Sequence, residues 1–173
     1  MKNVLASCVP RQSIIQGTFN PEVFTAALGP VIDSYKPDKQ GSEVIDNIYT
    51  NAEDFFREAT YVTDGLKSTI NNIFKRIAGD MTVPSIQRLE TAFGGGKTHT
   101  LIACVHIANR GKEIANVVDN IIEKQYLPDA GTVKVVGVAG DEISLSKTVS
   151  GKVKAYTLWG EIALQIGGEE LYA

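Results

Sequence analysis

Thr91-Ala92-Phe93-Gly94-Gly95-Gly96-Lys97-Thr98 is the stretch on which the reading of this chain turns. Three consecutive glycines let a backbone turn tightly and bring several N–H groups toward one point. Lys97 adds a mobile positive charge suited to β- and γ-phosphates, and Thr98 adds a hydroxyl suited to Mg²⁺. The common form of such a loop is Gly, four residues, Gly, Lys, then Ser or Thr. Counting back from Gly96 puts Thr91 where the first glycine belongs, so Gly94 and Gly95 are left to carry the turn. The flanks fit a phosphate-binding loop. Ile86, Leu89 and Thr91 lie in a short strand-like run after Pro84, and Leu101 to Ala108 reads as a strongly apolar helix. A helix N-terminus at the loop would add unpaired N–H groups and a partial positive charge.

Working outward, Asn20-Pro21 has the form of a helix start, with Asn as cap and Pro in the first turn. Val23, Phe24, Ala27, Leu28, Val31, Ile32 and Tyr35 keep helical spacing, and Gly29-Pro30 predicts a kink or break within it. A loop is expected over Lys36 to Ser42. A short helix near Thr50 has capping-box spacing to Glu53, with Phe55, Phe56 and Ala59 inward. Asp64 to Ala78 is an amphipathic helix with Leu66, Ile70, Ile73, Phe74 and Ile77 in one stripe, and Gly79 stops it. Its Lys67, Lys75 and Arg76 read as a solvated face before a nucleic-acid contact. Arg110-Gly111 closes the helix after the loop. Ile114, Val117, Val118, Ile121 and Ile122 predict a second helix, ended by Pro128. Thr132 to Ala139 resembles a buried parallel strand, Gly140 to Lys154 a polar loop, and Thr157 to Ile166 a last helix with Leu158, Trp159, Ile162 and Ile166 inward.

Strands separated by helices predict an α/β fold: a parallel sheet of the P-loop NTPase type with flanking helices. Residues 1–80 would be a mainly helical lead, and 81–173 the N-terminal part of the nucleotide-binding domain. Only two strands are convincing, and a two-stranded parallel pair buries little, so the sheet is expected to be incomplete and the chain to be the front of a larger protein.

The 173 residues suffice for one ordinary domain with a sizeable core. Apolar content of 43% and charged content of 21% match a globular protein, and a net charge of −3 argues against whole-surface attraction to nucleic acid. Cys8 and Cys104 make neither a metal-ligand spacing nor a disulfide framework, which fits a reducing cytoplasm. No apolar run approaches the ~18 residues of a membrane span, and Met1 to Pro10 makes a poor signal peptide.

Hydrolysis would require an acid beside Mg²⁺. Asp141-Glu142 follows an apolar run, yet Ala139 and Gly140 intervene and the fit is loose. His99 is open to two readings, phosphate contact or packing beneath the loop. His106 reads as structural, since seven residues of helix put the two histidines ~10.5 Å apart along the axis. Glu90 orients the loop or is a surface carboxylate. Ser150-Gly151-Lys152 lacks a glycine-rich lead, and Trp159 reads as a core anchor.

Arg88 to Leu101 closely resembles the phosphate loop of a family of large prokaryotic AAA-like ATPases catalogued as a domain of unknown function, and Leu158 to Gly168 resembles a second segment of that family. The resemblance implies ATP and Mg²⁺ as ligands, held by Phe93, Gly94, Gly95, Gly96, Lys97, Thr98 and His99. Lys97 would be the catalytic group and Thr98 the Mg²⁺ ligand. It also implies a longer protein with its acidic motif beyond Ala173, an association with DNA-modification proteins in phage-defence systems, and a homo-oligomer. The expected function is an ATP-binding module that couples hydrolysis to work on DNA or a protein partner. Rival readings are a non-hydrolysing nucleotide switch or scaffold and a small-molecule phosphotransferase. This chain alone is expected to bind nucleotide with negligible turnover.

Overall fold

The computed structural model describes residues 9–10, 12–19, 26–36, 47–92, 94–138 and 157–172. Its regular elements are helices: α1 (Gln12–Ile15), α2 (Leu28–Ser34), α3 (Ala52–Asp54), α4 (Asp64–Ile77), α5 (Lys97–Arg110) and α6 (Leu158–Tyr172). A π-helical turn, Phe55–Ala59, continues α3, and 3₁₀ turns occupy Gly111–Ile114 and Lys124–Tyr126.

Each helix boundary has a local cause. Thr63 caps α4, its Oγ1 accepting from the Leu66 N–H at 3.2 Å, with Asp64 in the first turn and Lys75 and Arg76 in the last. Gly79, at φ 103°, ends it in a Schellman motif, with the Asp80 N–H on the Lys75 carbonyl and the Gly79 N–H on the Arg76 carbonyl. The short helix after Thr50 starts one residue later than its capping-box spacing suggested. Asn51 is the cap, its side chain accepting from the N–H groups of Glu53 and Asp54, while the Thr50 hydroxyl donates to the Asn47 carbonyl. Near Gly29-Pro30 the chain does not kink within a helix; α2 begins at Leu28, so Pro30 falls in a first turn, where its missing N–H costs nothing.

Helix α5 packs against α2 and α4. It buries Ile102, Ala103, Val105, His106, Ile107 and Ala108, more than one face, and so forms the centre of the core. Val31, Phe55, Ile70, Phe74, Ile114 and Val118 close around it.

The expected parallel sheet is overturned. Among the described residues there is no strand. Residues 83–92 and 132–138 carry the β-branched, apolar character of strands but no regular structure. β-Propensity reports fit to a pleated, half-buried surface, and a strand exists only with a neighbour to ladder against. Among the described residues these two runs have no such neighbour, and they face different parts of the molecule. Leu89 and Thr91 border the cleft beside Tyr61, whereas Val133 and Val135 pack on the core near α2, α4 and α5. At Gly137 a side chain takes the place of a strand: the Gln165 amide accepts from the Gly137 N–H at 3.2 Å and donates to its carbonyl at 3.1 Å.

Two further expectations change. Ile114 to Ile122 is a 3₁₀ turn followed by a series of turns, although Ile114, Val118, Ile121 and Ile122 are buried as an inward face would be. The path is held by Gly111, at φ 45°, where a Cβ would lie 2.0 Å from the Pro128 carbonyl oxygen. In α6 the inward residues are Gly160 and Leu164, whereas Leu158, Trp159 and Ile166 are exposed, Trp159 by 77%. Trp159 is therefore no core anchor. Asn20 to Thr25, Asp141, Glu142 and Ser150 to Lys152 lie outside the described residues.

Candidate functional site

The glycine turn enters α5 directly. Gly94 and Gly96 are left-handed, at φ 80° and 75°, a region that only glycine occupies at low cost. Gly95 is excluded from bearing a side chain for another reason: a Cβ there would lie 2.3 Å from Thr91 Oγ1 and 3.0 Å from the Ala92 carbonyl oxygen. All three positions thus require glycine. Thr91, in the place of a first glycine, is the residue that presses against Gly95. The Gly95 N–H donates to the Ala92 carbonyl at 3.0 Å, tightening the turn. Gly96 is the N-cap of α5 and offers no side-chain cap, so the first-turn N–H groups of the helix have no side-chain acceptor from that position.

Lys97 does not project freely. Its ammonium donates to the carbonyls of Thr91 at 2.9 Å and Ala92 at 3.1 Å and to Thr91 Oγ1 at 3.2 Å. The side chain is folded back on the loop that carries it. Thr98, on the first turn, is exposed. Thr100 donates its hydroxyl to the Gly96 carbonyl at 2.9 Å. Phe93 lies outside the described residues.

His99 both lines the cleft beside the glycine turn and packs on aromatic rings. Its ring lies 4.5 Å, centroid to centroid, from Phe55, with Tyr49 at 6.1 Å edge-on. The Thr60 hydroxyl, which donates to the Phe55 carbonyl at 2.8 Å, has only its lone pairs left for His99 Nε2 at 3.0 Å. His99 Nε2 therefore carries the proton and donates. Burial lowers the pKa of this imidazole from its ordinary value. The π-helical turn supports this contact, since its wider spacing brings the Thr60 hydroxyl to the Phe55 carbonyl five residues back.

His106 is fully buried one face deeper. Its Nε2 faces the Tyr49 carbonyl at 2.9 Å and so is the protonated nitrogen, leaving Nδ1 to accept from the Tyr35 hydroxyl at 2.6 Å. Desolvation brings its pKa down to about 4, against the opposing effect of the Tyr49 hydrogen bond. Burial pushes Tyr35 up to about 12. Cys104, also raised to about 12 by burial, is an unreactive thiol. Glu90 ion-pairs with Arg88 in an exposed position.

The turn borders a cleft of about 350 Å³, within the range of small-molecule sites. Gly95, Gly96, Lys97, His99 and Thr100 form one wall, and Tyr61, Thr63, Leu66 and Thr69 another. The second wall was not foreseen. The signal for it was Thr60-Tyr61-Val62-Thr63, a β-branched and aromatic run between two helices, with an aromatic that belongs to no apolar stripe. No carboxylate is among the described residues lining the cleft. Among the described residues there is also no cluster of three His, Cys, Asp or Glu side chains able to hold a metal ion, and no helix long and apolar enough to cross a membrane.

The family model described as the DUF499 N-terminal domain matches residues 39–172, and the chain belongs to that family. No curated protein and no solved structure matches it.

Proposed function

We propose that this DUF499 N-terminal domain binds the phosphates of a nucleoside triphosphate, ATP in the first instance, on the turn Gly94 to Thr98. One observation carries the reading: three positions that only glycine can fill lead into the uncapped N-terminus of a 14-residue helix whose first residue is a lysine. Helix-start N–H groups and the aligned peptide dipoles favour an anion there. Lys97 would exchange its backbone acceptors for phosphate oxygens. Mg²⁺ keeps several waters and is held largely by the phosphates themselves, so the single exposed hydroxyl of Thr98 fits as its protein ligand. When bound, the ion would neutralise phosphate charge. By the resemblance of Arg88 to Leu101, the reading extends to an AAA-like ATPase serving DNA modification or phage defence.

The described lining of the cleft supplies donors and one cation but no acid to orient water. This favours, for this chain, binding without turnover, as in a nucleotide switch. Calorimetric titration with ATP·Mg²⁺ tests the assignment. Lys97→Ala should weaken binding by roughly 10- to 100-fold, the value of a charge-assisted hydrogen bond of about 1.5–3 kcal/mol. Unchanged affinity would remove the glycine turn from consideration. Phosphate release measured on the same samples should stay at background; sustained release would place the missing acid within this chain.

A further inference from the structure

The wall opposite the glycine turn presents Tyr61, an aromatic side chain 86% exposed, more so than Trp159. Tyrosines are intermediate in burial on average, and this highly exposed one borders the same cleft as Lys97. Its backbone is anchored on both sides. Thr60 is tied to the Phe55 carbonyl and to His99, and Thr63 caps the Leu66 N–H. The tyrosine is therefore held at a fixed place on a short bridge between the π-helical turn and α4. Among the described residues its hydroxyl has no hydrogen-bond partner, so no described residue holds the ring.

We infer that Tyr61 is a stacking platform for the base of the nucleotide whose phosphates lie on Gly94 to Lys97. The inference rests on the phosphate reading and deepens it. A base offers a flat face of π-electrons, and aromatic side chains take such faces with little regard to identity. The rest of the described lining agrees with that indifference. It contains no Asn, Gln, Asp or Glu to read a base edge. The ligand class is thus a nucleoside triphosphate, with ring area rather than edge pattern setting the order: ATP and GTP alike, UTP weaker, and inorganic tripolyphosphate weakest.

Titration calorimetry on the whole chain separates base from phosphate. Tyr61→Ala should weaken ATP and GTP by roughly 5- to 100-fold and leave tripolyphosphate unchanged. Tyr61→Phe should retain purine binding, since it keeps the ring. Lys97→Ala should weaken all four ligands. An exposed position makes the folding of Tyr61→Ala checkable by an unchanged melting midpoint. If Tyr61→Ala binds ATP as the parent does while Lys97→Ala still loses tripolyphosphate, the platform is wrong and the phosphate site stands. If the parent binds neither ATP nor tripolyphosphate, both fall together.

Discussion

His106 is an imidazole sealed inside an apolar core, and its two ring nitrogens govern what it does there. Both are satisfied, Nε2 by the Tyr49 carbonyl and Nδ1 by the Tyr35 hydroxyl, and only the neutral ring can accept at Nδ1. Protonation breaks that acceptor and places a charge out of water. The folded pKa, about 4, lies below the ordinary 6.5, so between those values the unfolded chain binds a proton that the folded chain refuses. Stability from this group is complete above pH 6.5 and falls as pH drops toward 4, by about 3 kcal/mol in all. Urea unfolding across that range measures the decline, and His106→Gln should flatten it. A parent slope identical to that of the variant would show that the ring is not the titrating group. Chemistry of this kind was half legible in the residues. Helical spacing put His106 about 10.5 Å along the axis from His99, too far to share a metal, and implied a structural role. Its partners come from Tyr35 and Tyr49, 71 and 57 positions away, which no local pattern reveals.

Among the elements, α4 shows how a helix organises a segment that is not one. Asn71 donates to the Ile121 carbonyl at 2.8 Å and accepts from the Glu123 N–H at 3.2 Å. Close by, Lys75 pairs with Glu123 at 3.2 Å and lies over the Tyr126 ring. These contacts clip residues 121–126 against α4. Asn71→Ala leaves two backbone groups to find other partners and should cost about 1–3 kcal/mol. The measurement is a lower urea midpoint with the denaturant slope unchanged; an unaltered midpoint would mean that burial alone holds the turns. Here the sequence pattern misled in an instructive way. Ile114, Val117, Val118, Ile121 and Ile122 repeat as a helix does, because the segment has an inward side. The repeat records burial, and burial is achieved by turns that Gly111 and Pro128 hold in close approach. In contrast α4, with apolar stripe and stop glycine agreeing, was readable to within a residue, although Ile77 at the end of the stripe is exposed.

At the scale of the molecule, the sheet is the clearest gap between residues and structure. The run of Ile86, Leu89 and Thr91 and the run from Thr132 to Ala139 have the residue pattern of strands, yet strands are made by partners and no described partner lies beside either. The glycine turn survived as geometry because its requirement is local: Gly94 and Gly96 have left-handed backbones, and Gly95 abuts Thr91 and Ala92 just before it. The cleft opposite it joins distant segments and was not visible in advance. Helix α6 shows the same dependence on context. It docks through Leu164 and through the Gln165 clasp on Gly137, and turns Leu158, Trp159 and Ile166 outward. Trp159 is the chain's one tryptophan, so its fluorescence reports this face alone. Acrylamide should quench it in the folded protein nearly as efficiently as in urea-unfolded protein. Strong protection in the folded state would mean that α6 is inverted on the core.

Phe55 lies between the two histidines, its centroid 4.5 Å from His99 and 5.2 Å from His106. The chain has no other histidine. In magnetic resonance terms, one aromatic ring current displaces the proton signals of both imidazoles, and each signal then reports a different place. The His99 resonance follows the glycine turn, the His106 resonance follows the core, and any tilt of the ring that joins them is written in both at once.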